Sequence, residues 1–123
     1  MKRILFVDDD PNVLVALRNL MHRERGCWET IFVEGGREAL AQLALQPVVI
    51  VVSDMRMPGM DGVDLLEKVR ERWPATARIM LSGSAHREEI ERATSAVDEL
   101  LSKPCSSAVL KATFERMLLR AAA

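Results

Sequence analysis

Acidic residues follow two apolar segments of the chain and are the first sign of chemistry. One segment near the start ends in the triplet Asp8, Asp9 and Asp10, and the apolar run 48–53 ends at Asp54. If the two segments are neighbouring parallel strands, these carboxylates meet at one edge of a sheet. Carboxylates about 5 Å apart repel by roughly 3 kcal/mol per pair at an effective dielectric of about 20, so the cluster needs a compensating cation. Oxygen ligands without a nearby His or Cys favour Mg²⁺, or alternatively Mn²⁺, over zinc.

The composition excludes several classes of protein. A chain of 123 residues with 49% hydrophobic and 28% charged residues predicts one ordered domain over residues 1–123. A net charge of -1 without a basic stripe argues against direct binding of nucleic acid. The longest apolar stretch, residues 48–52, is too short to span a bilayer, so we expect a cytoplasmic protein without membrane contact. Cys27 and Cys105 are far apart, which fits a reducing compartment and not a zinc site.

Strand and helix patterns alternate along the whole chain. The predicted strands are 4–7, 28–33, 48–53, 78–81 and 99–101, and the predicted helices are 11–25, 37–45, 62–73, 86–97 and 106–120. Strict alternation predicts an α/β fold, a doubly wound parallel sheet with helices on both faces. Such sheets carry their functional crevice at the carboxyl ends of the strands. The residues at predicted strand ends are Asp8, Asp9, Asp54, Ser82 and Lys103, and we expect them at one edge of the sheet.

Apolar residues at helical spacing predict which face of each helix is buried. The predicted buried residues are Leu14, Leu17 and Met21 in the first helix, Leu40, Leu43 and Ala44 in the second, and Leu110, Phe114 and Met117 in the last. Asp10 and Asp61 precede helices and are predicted to be N-caps. The helix 86–97 has only a thin apolar stripe, so we expect it to be held loosely. That stripe consists of Ile90, Ala93, Thr94 and Val97.

The strand-end residues could together transfer a phosphoryl group. If the carboxylate of Asp54 attacks phosphorus, cations must engage the transferring oxygens, because negative charge meets negative charge. Mg²⁺ held by Asp9 and Asp54, with Asp8 bound directly or through water, would supply one cation, and Lys103 would supply the second. The hydroxyl of Ser82 could hydrogen-bond a phosphoryl oxygen. The product would be an aspartyl phosphate.

Four segments closely resemble the receiver domain of two-component response regulators. They are residues 7–11 (VDDDP), 53–62 (SDMRMPGMDG), 81–83 (LSG) and 103–104 (KP), and the resemblance covers essentially the whole chain. It implies a flavodoxin-like (βα)5 fold with strand order 2-1-3-4-5 in a bacterial signalling protein. It also implies that a sensor histidine kinase or a histidine phosphotransfer protein donates the phosphoryl group.

The resemblance also implies a role for each residue of the site. Asp54 is the expected phosphoacceptor, Ser82 the switch hydroxyl and Lys103 the contact to the phosphoryl group. Asp8 and Asp9 are expected to hold Mg²⁺ together with Asp54 and the backbone carbonyl of Arg56.

The expected output face departs from the family pattern. In receivers this face comprises the fourth helix, the fifth strand and the last helix, here with Leu100, Cys105 and Val109, and it could form a homodimer. Many receivers have Tyr or Phe at the position of Leu100, and a bulky aromatic residue at the position of Cys105. We therefore expect a switch carried by Ser82 and backbone movement, without an aromatic rotamer change.

Three other functions share parts of this pattern. A haloacid-dehalogenase-like phosphatase needs Thr or Val at the position of Asn12 and metal-binding acids after the lysine, where Glu115 is the only acid. A flavodoxin-like flavin carrier needs a phosphate-binding loop where this chain has three acids that would repel phosphate. A metal-independent pseudo-receiver used as a docking module would not need the acidic cluster. We expect a phosphoacceptor domain and not an enzyme.

Overall fold

The structure, a computed structural model, describes residues 2–22, 28–83, 87–103 and 105–122, with the backbone alone at residues 87, 89 and 120–122. Its elements are β1 (Lys2–Val7), α1 (Pro11–His22), β2 (Trp28–Val33), α2 (Gly36–Leu45), β3 (Ile50–Asp54), α3 (Gly62–Arg72), β4 (Ala77–Ser82), α4 (Arg87–Thr94), β5 (Glu99–Ser102) and α5 (Ser107–Ala122). The strands form a parallel sheet in the order β2-β1-β3-β4-β5. The predicted doubly wound α/β fold and its strand order are confirmed. Some predictions fall on residues outside the described ones, namely Cys27, His86, Pro104 and residues 23–25.

The two central strands are buried on both faces. Residues 4–7 of β1 and 50–53 of β3 are buried without interruption, because helices cover a doubly wound sheet on both sides. The parallel register pairs Val7 with Ser53, and Asp54 with the next strand, β4. The carboxyl ends of β1, β3 and β4 therefore lie side by side. Strand β3 begins later than predicted and includes Asp54 as its last residue.

Two hydrophobic clusters, one on each face of the sheet, hold the helices. One cluster joins the sheet to α1 and α5, and its Phe6 and Phe114 rings make an edge contact with centroids 6.2 Å apart. The other cluster joins the sheet to α2 and α3 and includes Ala93 at the end of α4. The buried stripes predicted for the first and last helices are confirmed, namely Leu14, Leu17, Met21, Leu110, Phe114 and Met117.

The predicted face of α2 is wrong at one position. Leu43 is buried and Leu40 is partly buried, but Ala44 is exposed and Ala39 is buried instead. The helix starts at Gly36, which is itself buried. The buried face therefore runs from Gly36 through Ala39 and Leu43 at helical spacing, and Ala44 turns toward solvent.

Helix α4 is shorter than predicted, because it ends at Thr94 and not at residue 97. Its predicted apolar stripe is wrong at two positions, since Ile90 is 40% exposed and Thr94 is exposed. Ala93 is fully buried, as predicted, and Ala96, which was not predicted, is fully buried as well. The N–H groups of Ala96 and Val97 both donate to the Ala93 carbonyl, so the chain turns away from the helix axis there.

We expect Phe114→Ala to lower the free energy of unfolding by about 3–5 kcal/mol, because removing a buried ring leaves a cavity that its neighbours fill only in part. Phe114 is 0% exposed and also contacts the Trp28 ring. The control on the same helix is Leu119→Ala, at a side chain that is 72% exposed, and its effect should stay within about 0.5 kcal/mol. Urea unfolding followed by circular dichroism measures both changes. Equal losses would contradict the packing of α5 described above.

Candidate functional site

The carboxyl ends of β1 and β3 bring three acidic side chains together. Asp8 and Asp9 directly follow β1, and Asp54 is the last residue of β3. One carboxylate oxygen of each residue lies within 4.8 Å of those of the other two. Asp8 is 2% exposed, Asp54 is partly buried and Asp9 is exposed. The carboxylates therefore converge, as the alternation of strands and helices predicts.

Lys103 places a cation on two of these carboxylates. It directly follows β5, and its Nζ donates to Asp54 Oδ1 at 2.8 Å and to Asp8 Oδ2 at 3.2 Å. Its backbone N–H donates to the Ser82 carbonyl at 2.8 Å, which ties the residue to the end of β4. Burial lowers the pKa of Lys103, but the hydrogen bonds and charges of Asp54 and Asp8 outweigh burial and hold that pKa above its usual value. Lys103 is therefore a cation at neutral pH.

The surroundings of Asp8 disfavour its ionised form. Burial raises its pKa above the usual value, and the charge of Asp54 adds to the increase. The Asp10 N–H, which donates to Asp8 Oδ1 at 2.9 Å, and the Lys103 ammonium lower the pKa of Asp8 and offset part of that increase. The ionised form of Asp8 thus costs free energy in the folded protein.

The donor set of this cluster fits a divalent cation. Lys103 contacts two of the three carboxylates, those of Asp8 and Asp54, and one ammonium group cannot neutralise all three. Within the described residues, the cluster holds no histidine or cysteine. Oxygen ligands alone suit Mg²⁺ or Mn²⁺, and Asp8, Asp9 and Asp54 are the side chains that could hold the ion.

The loop after Asp54 fixes the position of that residue. The Gly62 N–H donates to the Met55 carbonyl at 2.8 Å, which packs the start of α3 against the end of β3. A Cβ on Gly62 would lie 2.0 Å from the Asp54 carbonyl oxygen. Asp61 caps α3 by accepting a hydrogen bond from the Asp64 N–H, as predicted. The close approach of α3 to β3 therefore requires a glycine at position 62.

Asp10 caps α1, as predicted, and does not belong to the carboxylate cluster of the described residues. Its side chain accepts a hydrogen bond from the Asn12 N–H at 2.9 Å, and its carbonyl accepts from the N–H groups of Val13 and Leu14. This arrangement satisfies donors at the start of the helix.

The remaining predicted residues lie around the cluster or on the adjacent face. Ser82 ends β4 and is partly buried, and Arg56 lies two residues after Asp54 with an exposed side chain. Leu100 is partly buried against the cluster of apolar residues under α2 and α3. Cys105 is partly buried, and that burial raises the pKa of its thiol. Val109 on α5 is 45% exposed.

Sequence reasoning missed a group of arginine contacts around α4. Arg92 on α4 lies 3.6 Å from Asp61 Oδ2 and 3.9 Å from Asp64 Oδ1 at the start of α3. Arg70 and Arg78 donate to backbone carbonyls just beyond the end of α4. These pairs join residues distant in the sequence, so no local pattern of residue types could have revealed them.

A family model described as the response regulator receiver domain matches residues 4–115. The chain belongs to this family. This receiver domain is 41% identical over 87 residues to the hydrogenase transcriptional regulatory protein HoxA of Cupriavidus necator, covering 71% of the chain and only 17% of HoxA. It is 35% identical over 121 residues to the chemotaxis protein CheY of Pseudomonas aeruginosa, covering 96% of the chain and 97% of CheY.

A solved structure extends the likeness of this receiver domain to the fold. The response regulator protein TrrA from Thermotoga maritima, in complex with Mg(2+)-BeF, matches with a TM-score of 0.83 at 30% identity, covering 95% of this chain and 99% of that one. Receiver domains are the phosphoacceptor signalling domains of response regulators, and they bind Mg²⁺ at an acidic pocket. No helix in the described part of this receiver domain is both long and apolar enough to cross a bilayer.

We expect Gly62→Ala to lower the free energy of unfolding by about 1–3 kcal/mol, because the new methyl group overlaps backbone that cannot move aside cheaply. Gly83→Ala is the control at the neighbouring strand end, where a Cβ would meet no atom of the described residues within 4 Å. That change should stay within about 0.5 kcal/mol. Urea unfolding compares the two variants, and equal stabilities would contradict the close packing of α3 on β3.

We expect Asp8→Asn to raise the free energy of unfolding at neutral pH in the presence of EDTA. Because the pKa of Asp8 is raised in the folded state, the stability that this group contributes is present below its unfolded pKa and is lost as the pH rises through the folded pKa. The asparagine removes the ionised group and keeps the acceptor for the Asp10 N–H. The gain in unfolding free energy should therefore shrink as the pH falls below the raised pKa of Asp8 in the folded protein. It should vanish below the pKa of Asp8 in the unfolded chain.

The control for this prediction is Asp10→Asn, because asparagine caps a helix about as well as aspartate. Urea unfolding across acid and neutral pH measures both variants. A loss of stability in Asp8→Asn at neutral pH would refute the account of Asp8.

Proposed function

We propose that residues 1–123 form one phosphoacceptor domain in which Asp54 takes a phosphoryl group from a sensor histidine kinase or a histidine phosphotransfer protein. The observation that carries this proposal is the contact of Lys103 Nζ with both Asp54, at 2.8 Å, and Asp8, at 3.2 Å. A lysine in this position can contact a carboxylate oxygen of Asp54 and also an oxygen of a phosphoryl group bonded to Asp54. We also propose that the protein is bacterial and acts in the cytoplasm.

The transfer conserves atoms and charge over the donor and Asp54 taken together. A carboxylate oxygen of Asp54 forms a bond to phosphorus while the phosphorus–nitrogen bond of the donor phosphohistidine breaks, and the nitrogen keeps the electron pair of that bond. Lys103 lies beside the attacked group and offsets the added negative charge without moving far, which is how fixed cations accelerate such reactions. Ser82, at the end of the neighbouring strand, donates its hydroxyl to a phosphoryl oxygen.

A divalent cation, Mg²⁺ or alternatively Mn²⁺, is the proposed cofactor. Asp8, Asp9 and Asp54 would hold it, together with the backbone carbonyl of Arg56. When bound, the ion neutralises charge that develops on the phosphoryl oxygens. The convergence of the three carboxylates supports this assignment.

The proposed output face comprises α4, β5 and α5, with Leu100, Cys105 and Val109 on it. Because Leu100 carries no aromatic ring, the switch works through Ser82 and movement of the backbone around it. The same face is the proposed contact surface of a homodimer.

The phosphatase alternative receives no support from the described residues. Glu115, the acid that follows Lys103 in the sequence, lies on α5 with an exposed side chain and does not join the carboxylate cluster. A phosphatase of that kind needs further metal-binding acids after its lysine. We therefore propose stoichiometric modification without turnover.

We expect acetyl phosphate with Mg²⁺ to add one phosphoryl group to the protein, seen as a single mass increase in intact-protein mass spectrometry. Asp54→Asn and treatment with EDTA should each abolish the increase, because they remove the nucleophile or the cation. Asp10→Asn is the matched control, since it changes a neighbouring acid outside the cluster and should leave labelling intact.

Two outcomes would refute this function. One is labelling that persists in Asp54→Asn, and the other is wild-type protein that stays unlabelled under conditions where a known receiver is labelled. Continuous release of inorganic phosphate from small phosphate esters would instead favour the phosphatase.

A further inference from the structure

Strand β2 is an edge of the sheet, and one side of its backbone faces away from the other strands. The Asp8 N–H donates to the Val33 carbonyl at 3.2 Å, so the backbone groups of Val33 point toward β1, the strand with which β2 is paired. Backbone groups of successive strand residues point to opposite sides. The N–H and carbonyl groups of Trp28, Thr30 and Phe32 therefore point outward from the sheet.

This edge lacks the features that commonly protect an edge strand from pairing with another chain. Native edge strands are often short, or they carry lysine or proline. Strand β5, the opposite edge, has four residues and is followed directly by Lys103, whereas β2 has six residues with neither lysine nor proline. The charged residue within β2, Glu29, is paired with Arg3 at 3.2 Å. Strand β2 can therefore accept a further strand.

Two clefts lie along β2 on the face of the sheet that carries α1. The upper cleft, of about 440 Å³, lies near the carboxyl end of β2, and its lining includes Glu34 and Glu38. The lower cleft, of about 310 Å³, lies nearer the start of the strand, and its lining includes Trp28. Arg18 and Phe32 line both clefts, with the guanidinium 4.9 Å from the ring centroid. The clefts therefore adjoin at this pair and form one groove beside the open backbone of β2.

The two clefts differ in charge, and this difference indicates which side chain fits each. Glu34 and Glu38 are exposed, and no ion pair joins either of them to another described residue. The lower cleft contains the partly buried Trp28 and the buried Met21, and no acid of the described residues lines it. The upper cleft thus complements a basic side chain, and the lower cleft complements an apolar one.

We propose that β2 binds an extended segment of a partner protein as an added antiparallel strand, with a basic side chain in the upper cleft and an apolar side chain in the lower cleft. Backbone hydrogen bonds to the open edge supply affinity, and the clefts select the side chains. Antiparallel pairing is slightly more stable per residue than parallel pairing. Because the clefts extend along β2 from about Glu34 to Thr30, the basic residue precedes the apolar residue by about four positions.

The occupant is a partner protein and not a second copy of this chain. A copy that paired through its own β2 would bring a strand without any basic residue for the upper cleft. The surface lies at the opposite edge of the sheet from β5, so it is distinct from the proposed output face and does not depend on the proposed function.

The open edge is tested on the free protein by amide hydrogen exchange measured by NMR. The N–H groups of Thr30 and Phe32 should exchange at least about tenfold faster than those of Ile31 and Val33, which point toward β1. Equal protection of the two pairs would mean that the edge is already covered, and it would overturn the proposal.

Binding is tested with a blocked peptide of about seven residues, threonine throughout except for a lysine and, four positions later, an isoleucine. The peptide should shift the amide resonances of Thr30 and Phe32. It should bind at least about threefold more tightly than the same peptide with glutamate in place of lysine. Glu34→Gln combined with Glu38→Gln should remove that preference, whereas Glu71→Gln, at an exposed acid on α3, is the matched control and should preserve it.

Thr30→Pro tests the backbone contacts, because proline removes the outward N–H and is tolerated on an edge strand. It should weaken binding of the lysine peptide at least about tenfold, whereas Thr30→Val keeps the N–H and should bind as the wild type does. Circular dichroism checks that both variants fold, and the double glutamine variant decides the question if Thr30→Pro does not.

Three results would overturn the proposal. One is unchanged peptide affinity in a folded Thr30→Pro, and another is the absence of shifts at Thr30 and Phe32 with about 1 mM peptide. The third is self-association in sedimentation velocity that Thr30→Pro abolishes, because the edge would then bind a second copy of this chain.

Discussion

The mutual repulsion of Asp8, Asp9 and Asp54 is the constraint on which the rest of this structure depends. At separations within 4.8 Å, two ionised carboxylates repel by about 3 kcal/mol at an effective dielectric of about 20, whereas a whole domain is stable by only about 5–15 kcal/mol. Lys103 offsets part of this repulsion through its contacts with Asp54 and Asp8. One lysine cannot neutralise three carboxylates. An additional cation that binds the cluster in the folded form therefore stabilises the protein.

The carboxylates cannot relieve their repulsion by moving apart, because the backbone that carries them is fixed on every side. Strands β1 and β3 are paired in register and buried on both faces. Helix α3 approaches the end of β3 so closely that Gly62 leaves no room for a side chain. The repulsion therefore persists in the folded protein, and binding of a cation would relieve it. A looser sheet edge would place the same residues near one another without this effect.

Local patterns in the sequence predict most of the sheet and of the site. The alternation of apolar runs with helical stripes predicts the fold, and acids directly after two of those runs predict the carboxylate cluster. The prediction of Ala44 as a buried residue was wrong, because the buried face of α2 runs through Gly36, Ala39 and Leu43 and leaves Ala44 in solvent. The prediction for α4 was wrong because Ile90 and Thr94 face solvent, whereas Ala96, which is small and carries little hydrophobic signal, is buried just beyond the end of the helix. The contacts of Arg70, Arg78 and Arg92 depend on which elements are neighbours in space, and periodicity holds no information about that.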